Sequence, residues 1–481
     1  MNPIYGIVAA ALAIQLSLVS PASARTVDRS KIRVACVGAS ITYGYGVEDR
    51  EKNCYPAQMQ NSLGAQYEVR NYGVSGCTLL KHGDSPYWKT EAYQQALAFN
   101  PNIVVIDLGG NDSKAQNWQF KNEFADDARA MIESFRALPA KPRVLLCIPM
   151  PAFQLTFGIN DAVIVQEQTP ILRQVAFDTG TELIDLHTAF LGKQSWFHDN
   201  IHPDAEGAAW MARVIGRVVG LKADAGFDLE KSLAAQGITP KISSFYGYRQ
   251  LDFTLEGGRL CTIVRPYVTA ARHPYAWRGE FFGHEPQTDL ALIALGYHVV
   301  YVGAQDMYGS PEAMAIWEKA YHLLGKAGLN GKIVLIGMSR GGLYCYSWAA
   351  RHPKTVAALY GDAPVCDFKS WPGKNRATSS KNEWAGLLKT YGFKDEAEAF
   401  AYAKNPIDNL KPLAKAGIPI LHVVGEADTD VPVQENTDIV EKRYRELGGT
   451  IEVIRKPGVG HHPHSLPNPY PIVDFILKHT G

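Results

Sequence analysis

The sequence predicts two tandem α/β domains, and three observations predict them. Short continuous apolar runs alternate with amphipathic helical stretches between Lys31 and about Gly220. The alternation breaks over residues 221–244, then resumes after a hairpin-like pair of strands. Each half carries its own set of serine, histidine and aspartate residues at the ends of those runs. Continuous apolar strands separated by helices belong to parallel sheets covered on both faces.

In the first half the expected strands are 32–37, 67–70, 103–108, 143–148 and 182–185. Between them lie patterns such as Phe124, Ala128, Met131, Ile132 and Phe135, whose spacing is that of one helix face. A last helix is expected over 205–219. The stretch 221–244 is small and charged and ends in Gly237-Ile238-Thr239-Pro240, which marks a boundary. Strands at 245–255 and 259–265, joined at Gly257-Gly258, read as a hairpin. Further strands are expected at 298–302, 332–336, 356–360, 418–424 and 450–455. The expected organisation is therefore a leader over 1–24, a first domain over 25–222, a linker over 223–244 and a second domain over 245–481.

The chain has 481 residues, enough for two cores of ordinary size. A hydrophobic content of 46% with 20% charged residues excludes a disordered chain. Lys+Arg and Asp+Glu balance at 48 each and no basic stripe appears, so nucleic acid is not an expected partner. Residues 4–19 are mostly apolar and precede Ala22-Ser23-Ala24, the pattern of a cleaved export signal that would leave Arg25 first. No later run reaches the ~20 apolar residues of a membrane span. An exported protein, periplasmic or secreted and without a span, is expected. Seven cysteines make no Cys-x-x-Cys pair, which argues against structural zinc. Cys54 and Cys77 flank the first site and are the one candidate disulfide.

Ser40 follows the first strand and Gly38, on the sheet edge where open α/β folds bind ligands. Asn71-Tyr72-Gly73-Val74-Ser75-Gly76 follows the second strand, Gly109-Gly110-Asn111-Asp112 the third, and Asp199-x-x-His202 precedes the last helix. Four such clusters at the ends of successive elements imply one shared pocket. A hydroxyl, an imidazole and a carboxylate are what acyl transfer requires.

These four blocks resemble the SGNH (GDSL-type) hydrolases over about residues 31–220, whose fold is a flavodoxin-like three-layer sandwich. The resemblance implies Ser40 as nucleophile, His202 as general base and Asp199 as its orienter. It also implies the N–H groups of Ser40 and Gly76 and the Asn111 amide as oxyanion donors. The sequence departs at Ala39, where many members carry Asp, a position without a catalytic role.

In the second half, Gly337-x-Ser339-x-Gly341 lies between an expected buried strand and an expected helix, the context of a nucleophile elbow. Asp428 and His461 follow later strands, so the chain order is Ser, Asp, His. Asp430 competes with Asp428, and His462 and His464 compete with His461. The His-His-Pro-His cluster lacks an accompanying acidic or cysteine group, so metal is not expected. This half resembles the α/β-hydrolase fold over about residues 245–481. The resemblance implies Ser339, Asp428 and His461 as a triad and the Arg340 N–H as an oxyanion donor, with a second donor from the loop 272–278.

Trp277, with Tyr275, Trp317 and Trp371, offers a sugar-stacking surface, against the alternative that these aromatics are core. Arg278 and Arg340 offer guanidinium groups for a substrate carboxylate. Ser-Arg at the elbow also occurs in glucuronoyl esterases, which implies a uronate ester as one substrate. The expectation is an exported bifunctional carbohydrate esterase that removes acyl groups, acetyl in the first site, from oligo- or polysaccharides, with no cofactor. A peptidase of the prolyl-oligopeptidase clan is the rival for the second half, and a glycan-binding module on a decayed hydrolase frame is the rival for either.

Overall fold

A computed structural model describes residues 30–329, 331–374 and 381–480. The expected leader and the cut before Arg25 lie outside the described residues. The first unit is built on β1 (Ile32–Gly38), β2 (Tyr67–Gly73), β3 (Ile103–Asp107), β4 (Arg143–Ile148) and β5 (Glu182–Asp185). All are parallel, in the order β2-β1-β3-β4-β5. Val34, Cys36, Val104 and Val105 in the central strands are fully buried, because helices cover both faces. The chain leaves β1 on one side of the sheet and β3 on the other, and the crevice at this switch is where such sheets bind ligands.

The second unit has nine strands: β6 (Lys241–Phe245), β7 (Tyr248–Thr254), β8 (Leu260–Arg265), β9 (Tyr275–Arg278), β10 (His298–Val302), β11 (Ile333–Met338), β12 (Val356–Asp362), β13 (Ile420–Gly425) and β14 (Ile451–Lys456). Their order is β14-β13-β12-β11-β9-β10-β8-β7-β6. β6, β7 and β8 form an antiparallel meander, β8 pairs antiparallel with β10, and the rest are parallel.

Two expectations need correction here. The hairpin strand placed at 245–255 is two strands, because Tyr246 and Gly247 both take positive φ and turn the chain between β6 and β7. The segment 223–244 is not a free linker. Its helix Leu229–Ala234 buries Leu229 and Leu233 in the second core, and Glu230 pairs with Arg249 and Arg265. Strand β9 was missed altogether. Four residues are too short for a periodic signal, and the run Tyr275-Ala276-Trp277-Arg278 ends in a charge.

The two units pack against each other. The C-terminal helix Tyr470–Thr480 lies on the helix Ala205–Val219, where Asp474 pairs with Arg213 at 2.9 Å and Arg217 at 2.6 Å. Tyr470 meets Trp210 edge-on at 5.1 Å, and the Asn468 amide donates to the Ala189 carbonyl. One continuous apolar cluster contains Ile184 and Val214 of the first unit with Tyr248, Leu292 and Ile472 of the second. Among the described residues no helix is long and apolar enough to cross a membrane.

Candidate active sites

Ser40 opens a single helical turn immediately after β1, and its Oγ lies 2.8 Å from His202 Nε2. His202 Nδ1 lies 2.6 Å from Asp199 Oδ2. The other Asp199 oxygen accepts the backbone N–H groups of Ile201 and His202. Burial alone would raise the Asp199 carboxyl, but these hydrogen bonds from His202 and the backbone outweigh it and hold the group below its ordinary range. The histidine arrives on the chain just before the helix Ala205–Val219, whose start is capped by Asp204 accepting from the Gly207 N–H.

Around Ser40 the oxyanion donors expected from the sequence converge. The N–H groups of Ser40 and Gly76 donate to no backbone carbonyl among the described residues. Gly76 has φ +83° and open space where a Cβ would stand, so the backbone conformation rather than crowding requires glycine. Asn111 is 5% exposed and donates one amide hydrogen to the Cys77 carbonyl, leaving its second for a ligand. Two residues missed from the sequence hold this frame. Asp112 accepts the N–H groups of Leu79 and Leu80 and so fixes the loop carrying Gly76 and Cys77. The Asn71 amide donates to the Thr42 carbonyl and pins the nucleophile turn to β2. Both lie inside the quoted blocks, where their neighbours drew the reading. Cys54 and Cys77 are separate buried free thiols, so the candidate disulfide is absent; Cys54 faces Asn71 and Cys77 faces Ser85.

Two cavities meet at Ser40. One, lined by Ile41, Pro149, Met150, Ile159 and Ile201, has a volume of about 30 Å³, room for a group of about one or two heavy atoms. The other, lined by Tyr45, Ser75, Gly76, Lys114, Phe157 and His202, has a volume of about 200 Å³.

In the second unit Ser339 joins β11 to the helix Gly341–Arg351 with φ +48°, a strained backbone for a non-glycine residue. A Cβ on Gly337 would stand 2.9 Å from the Gly341 carbonyl, so the elbow admits only glycine there. Ser339 Oγ lies 3.0 Å from His461 Nε2, and His461 Nδ1 lies 2.6 Å from Asp428 Oδ2. Asp428 also accepts the N–H groups of Asp430 and Val431. The structure thus brings together Asp428 and His461. His464 instead faces Asp362 at 3.4 Å, and His462 packs edge-on to both of its histidine neighbours. Asp362 was missed from the sequence: its carboxylate accepts the Ser465 N–H and its carbonyl accepts the Ser339 N–H.

The expected substrate residues of this site are placed otherwise. Trp277 is fully buried and stacks on Trp317 at 4.6 Å, and Tyr275 is equally buried. Arg278 is 3% exposed, with its guanidinium donating to Asp289 and to the His284 carbonyl. Both belong to β9, a central strand covered on both faces, and so serve the core. The loop expected over 272–278 therefore cannot supply the second oxyanion donor. The backbone that lies against the elbow is the turn after β9, where a Cβ on Gly341 would stand 3.2 Å from the Glu280 nitrogen. The Arg340 side chain is held by Asp306 at 2.7 Å and Glu383 at 3.2 Å, with Glu280 at 3.7 Å. Three carboxylates around one guanidinium leave a negative rim, unsuited to an anionic substrate group.

Fold and site geometry together place both units among the serine hydrolases. The family model of the GDSL-like lipase/acylhydrolases matches residues 36–210, and that of the prolyl oligopeptidase family matches residues 319–476. The chain is 45% identical over 206 residues to an acetylxylan esterase of Xylanibacter ruminicola, a match covering 39% of this chain. It spans 43% of the length of that relative. A carbohydrate acetylesterase from Sinorhizobium meliloti is similar at 20% identity and a TM-score of 0.33, covering 39% of this chain and 98% of its own. Dipeptidyl peptidase 4 of Porphyromonas gingivalis is similar at 15% identity and a TM-score of 0.37, covering 48% of this chain and 36% of its own.

Proposed function

We propose that this protein is an exported, bifunctional serine hydrolase whose first site removes acetyl groups from acetylated carbohydrate. The observation that carries the acetyl assignment is the asymmetry of the two cavities at Ser40. Ser40 attacks the ester carbonyl while His202, held by Asp199, takes its proton; the N–H groups of Ser40 and Gly76 and the Asn111 amide receive the oxyanion. His202 then returns the proton to the departing alcohol, so the alcohol must leave on the side that His202 lines. The acyl group faces the opposite, largely apolar cavity of about 30 Å³, a size that favours a short acyl group. Water repeats the sequence and releases acetate. Hydrolysis of acetyl, butyryl and feruloyl esters of one sugar tests this: acetyl turnover should exceed the others by orders of magnitude, and equal rates refute the small acyl pocket.

For the second site, Ser339, His461 and Asp428 act in the same roles, with the Arg340 N–H as one oxyanion donor, on an ester of the same glycan. The negative rim around Arg340 weighs against a uronate ester. The match to the prolyl oligopeptidase family favours a second reading, cleavage of short peptides. A Ser40→Ala enzyme assayed on neutral sugar esters and on chromogenic dipeptides decides between them.

A further inference from the structure

We propose that Tyr45 and Phe157 form an aromatic clamp on the leaving-group side of Ser40 that holds the sugar ring bearing the scissile acetyl group. The inference rests on the acetylesterase reading and deepens it. Both rings stand beside the catalytic imidazole, with centroids 4.7 Å (Tyr45) and 5.7 Å (Phe157) from that of His202. Both line the 200 Å³ cavity together with Gly76 and Asn111. Neither is used by the core: Tyr45 is 48% exposed and Phe157 58%. Large apolar side chains left in water beside a reaction centre are cover for a ligand.

The backbone under Phe157 strengthens the case. Thr156 and Ile159 pair across a two-residue turn, closed by the Ile159 N–H on the Thr156 carbonyl at 3.0 Å. Both central residues have positive φ, +55° at Phe157 and +78° at Gly158. A turn of that hand takes Gly, Asn or Asp at its first central position. A phenylalanine there is strained, and at 58% exposure its ring contributes little burial in return. Strain of this kind at a site edge points to a role for the side chain in ligand binding. Tyr45 is fixed from the other side, because its N–H donates to the Ser40 carbonyl.

The chemistry of the cleft selects a sugar over an aliphatic alcohol. Aromatic faces suit the C–H face of a pyranose, whose hydroxyls then point outward along its edge. Lys114 and Ser75 line the same cavity, and Lys114 forms no ion pair among the described residues. A lipid alcohol would leave these polar groups unmatched, whereas ring hydroxyls meet them.

The test compares kcat/KM for mono-acetylated xylopyranoside, ethyl acetate and octyl acetate in the full chain carrying Ser339→Ala, so that only the first site acts. The sugar-to-ethyl ratio should fall about tenfold or more in Tyr45→Ala and in Phe157→Ala, and Phe157→Trp should restore it. Calorimetric binding of deacetylated xyloside to Ser40→Ala should weaken in parallel, a readout that does not depend on turnover. An unchanged ratio in both alanine variants, or a wild-type preference for octyl acetate, overturns the clamp while leaving the acetylesterase standing. Failure of the parent protein on every acetyl ester overturns the acetylesterase itself.

Discussion

The Asp362 carbonyl accepts the N–H of Ser339 at 2.8 Å, so the residue that ends β12 fixes the nucleophile directly. Its carboxylate, 1% exposed, reaches the other way to the Ser465 N–H and to His464. One buried residue, through its carbonyl on one side and its carboxylate on the other, therefore sets the loop that carries His461 against the strand end that carries Ser339. Asp362→Ala should lower kcat at the second site by about 10–100-fold with little change in KM, and Asp362→Asn should recover part of the loss. First-site turnover in the same protein is the internal control. A change in KM alone would assign Asp362 to substrate contact instead.

Ser40→Ala and Ser339→Ala should each remove one activity and spare the other, because each deletes a separate covalent nucleophile. A panel of acetyl, feruloyl and uronate methyl esters with chromogenic peptides reads both. Loss of every activity in either single variant would show that the sites are not independent.

Asp199 is held below its ordinary carboxyl range by the hydrogen bonds it accepts, so it stays ionised as the medium is acidified. First-site turnover therefore draws on an ionised Asp199 that orients His202 to accept the Ser40 proton. Asp199→Asn should reduce kcat by about 10²–10⁴-fold by favouring the wrong imidazole tautomer. Normal turnover in that variant refutes the assignment.

Asp107, at the end of β3, is buried at 6% exposure, and among the described residues its carboxylate accepts from the Thr42 hydroxyl; burial pushes its carboxyl up to about 6. The folded state therefore holds a proton that the unfolded chain has released between about pH 4 and 6. Stability from this group is full below that window, falls as pH rises through it and is constant above. Asp107→Asn should stabilise the fold at pH 7.5 by on the order of 2–3 kcal/mol, read as a raised melting temperature, with no gain near pH 4. Equal destabilisation at both pH values would show that the carboxylate is needed in another role.

Arg340→Ala should act on stability before substrate affinity. It strips the cation from Glu280, which is 2% exposed, and an unpaired buried charge costs about 3–5 kcal/mol. The melting temperature should fall by several degrees, with Arg340→Lys intermediate. A large rise in KM for an acidic ester at unchanged melting temperature would return Arg340 to the role first read from the sequence.

What the sequence made legible was carried by order and spacing. Ser40, Gly76 and Asn111 stood just after recognisable strands and the Asp199/His202 pair just before the last helix, and the structure brings their groups to one crevice. Among Asp428, Asp430, His461, His462 and His464 the sequence left the choice open at the motif, because adjacent residues differ only in the direction their side chains take. Trp277 and Arg278 misled for a related reason. An aromatic and a cation side by side look like a binding surface until β9 is seen threaded between β10 and β11. Asp362 and Phe157 were invisible because their meaning lies in a long-range hydrogen bond and in a backbone angle.

The docking of the C-terminal helix on the first unit ties the two activities together in supply as well as in space. A chain cut near residue 222 would turn Tyr470, Ile472 and Trp210 toward water, so neither half is released as a self-contained product. Both candidate sites are consequently held in a strict one-to-one ratio. Any molecule with groups for both sites would meet the second at a local concentration that dilution of the protein cannot change.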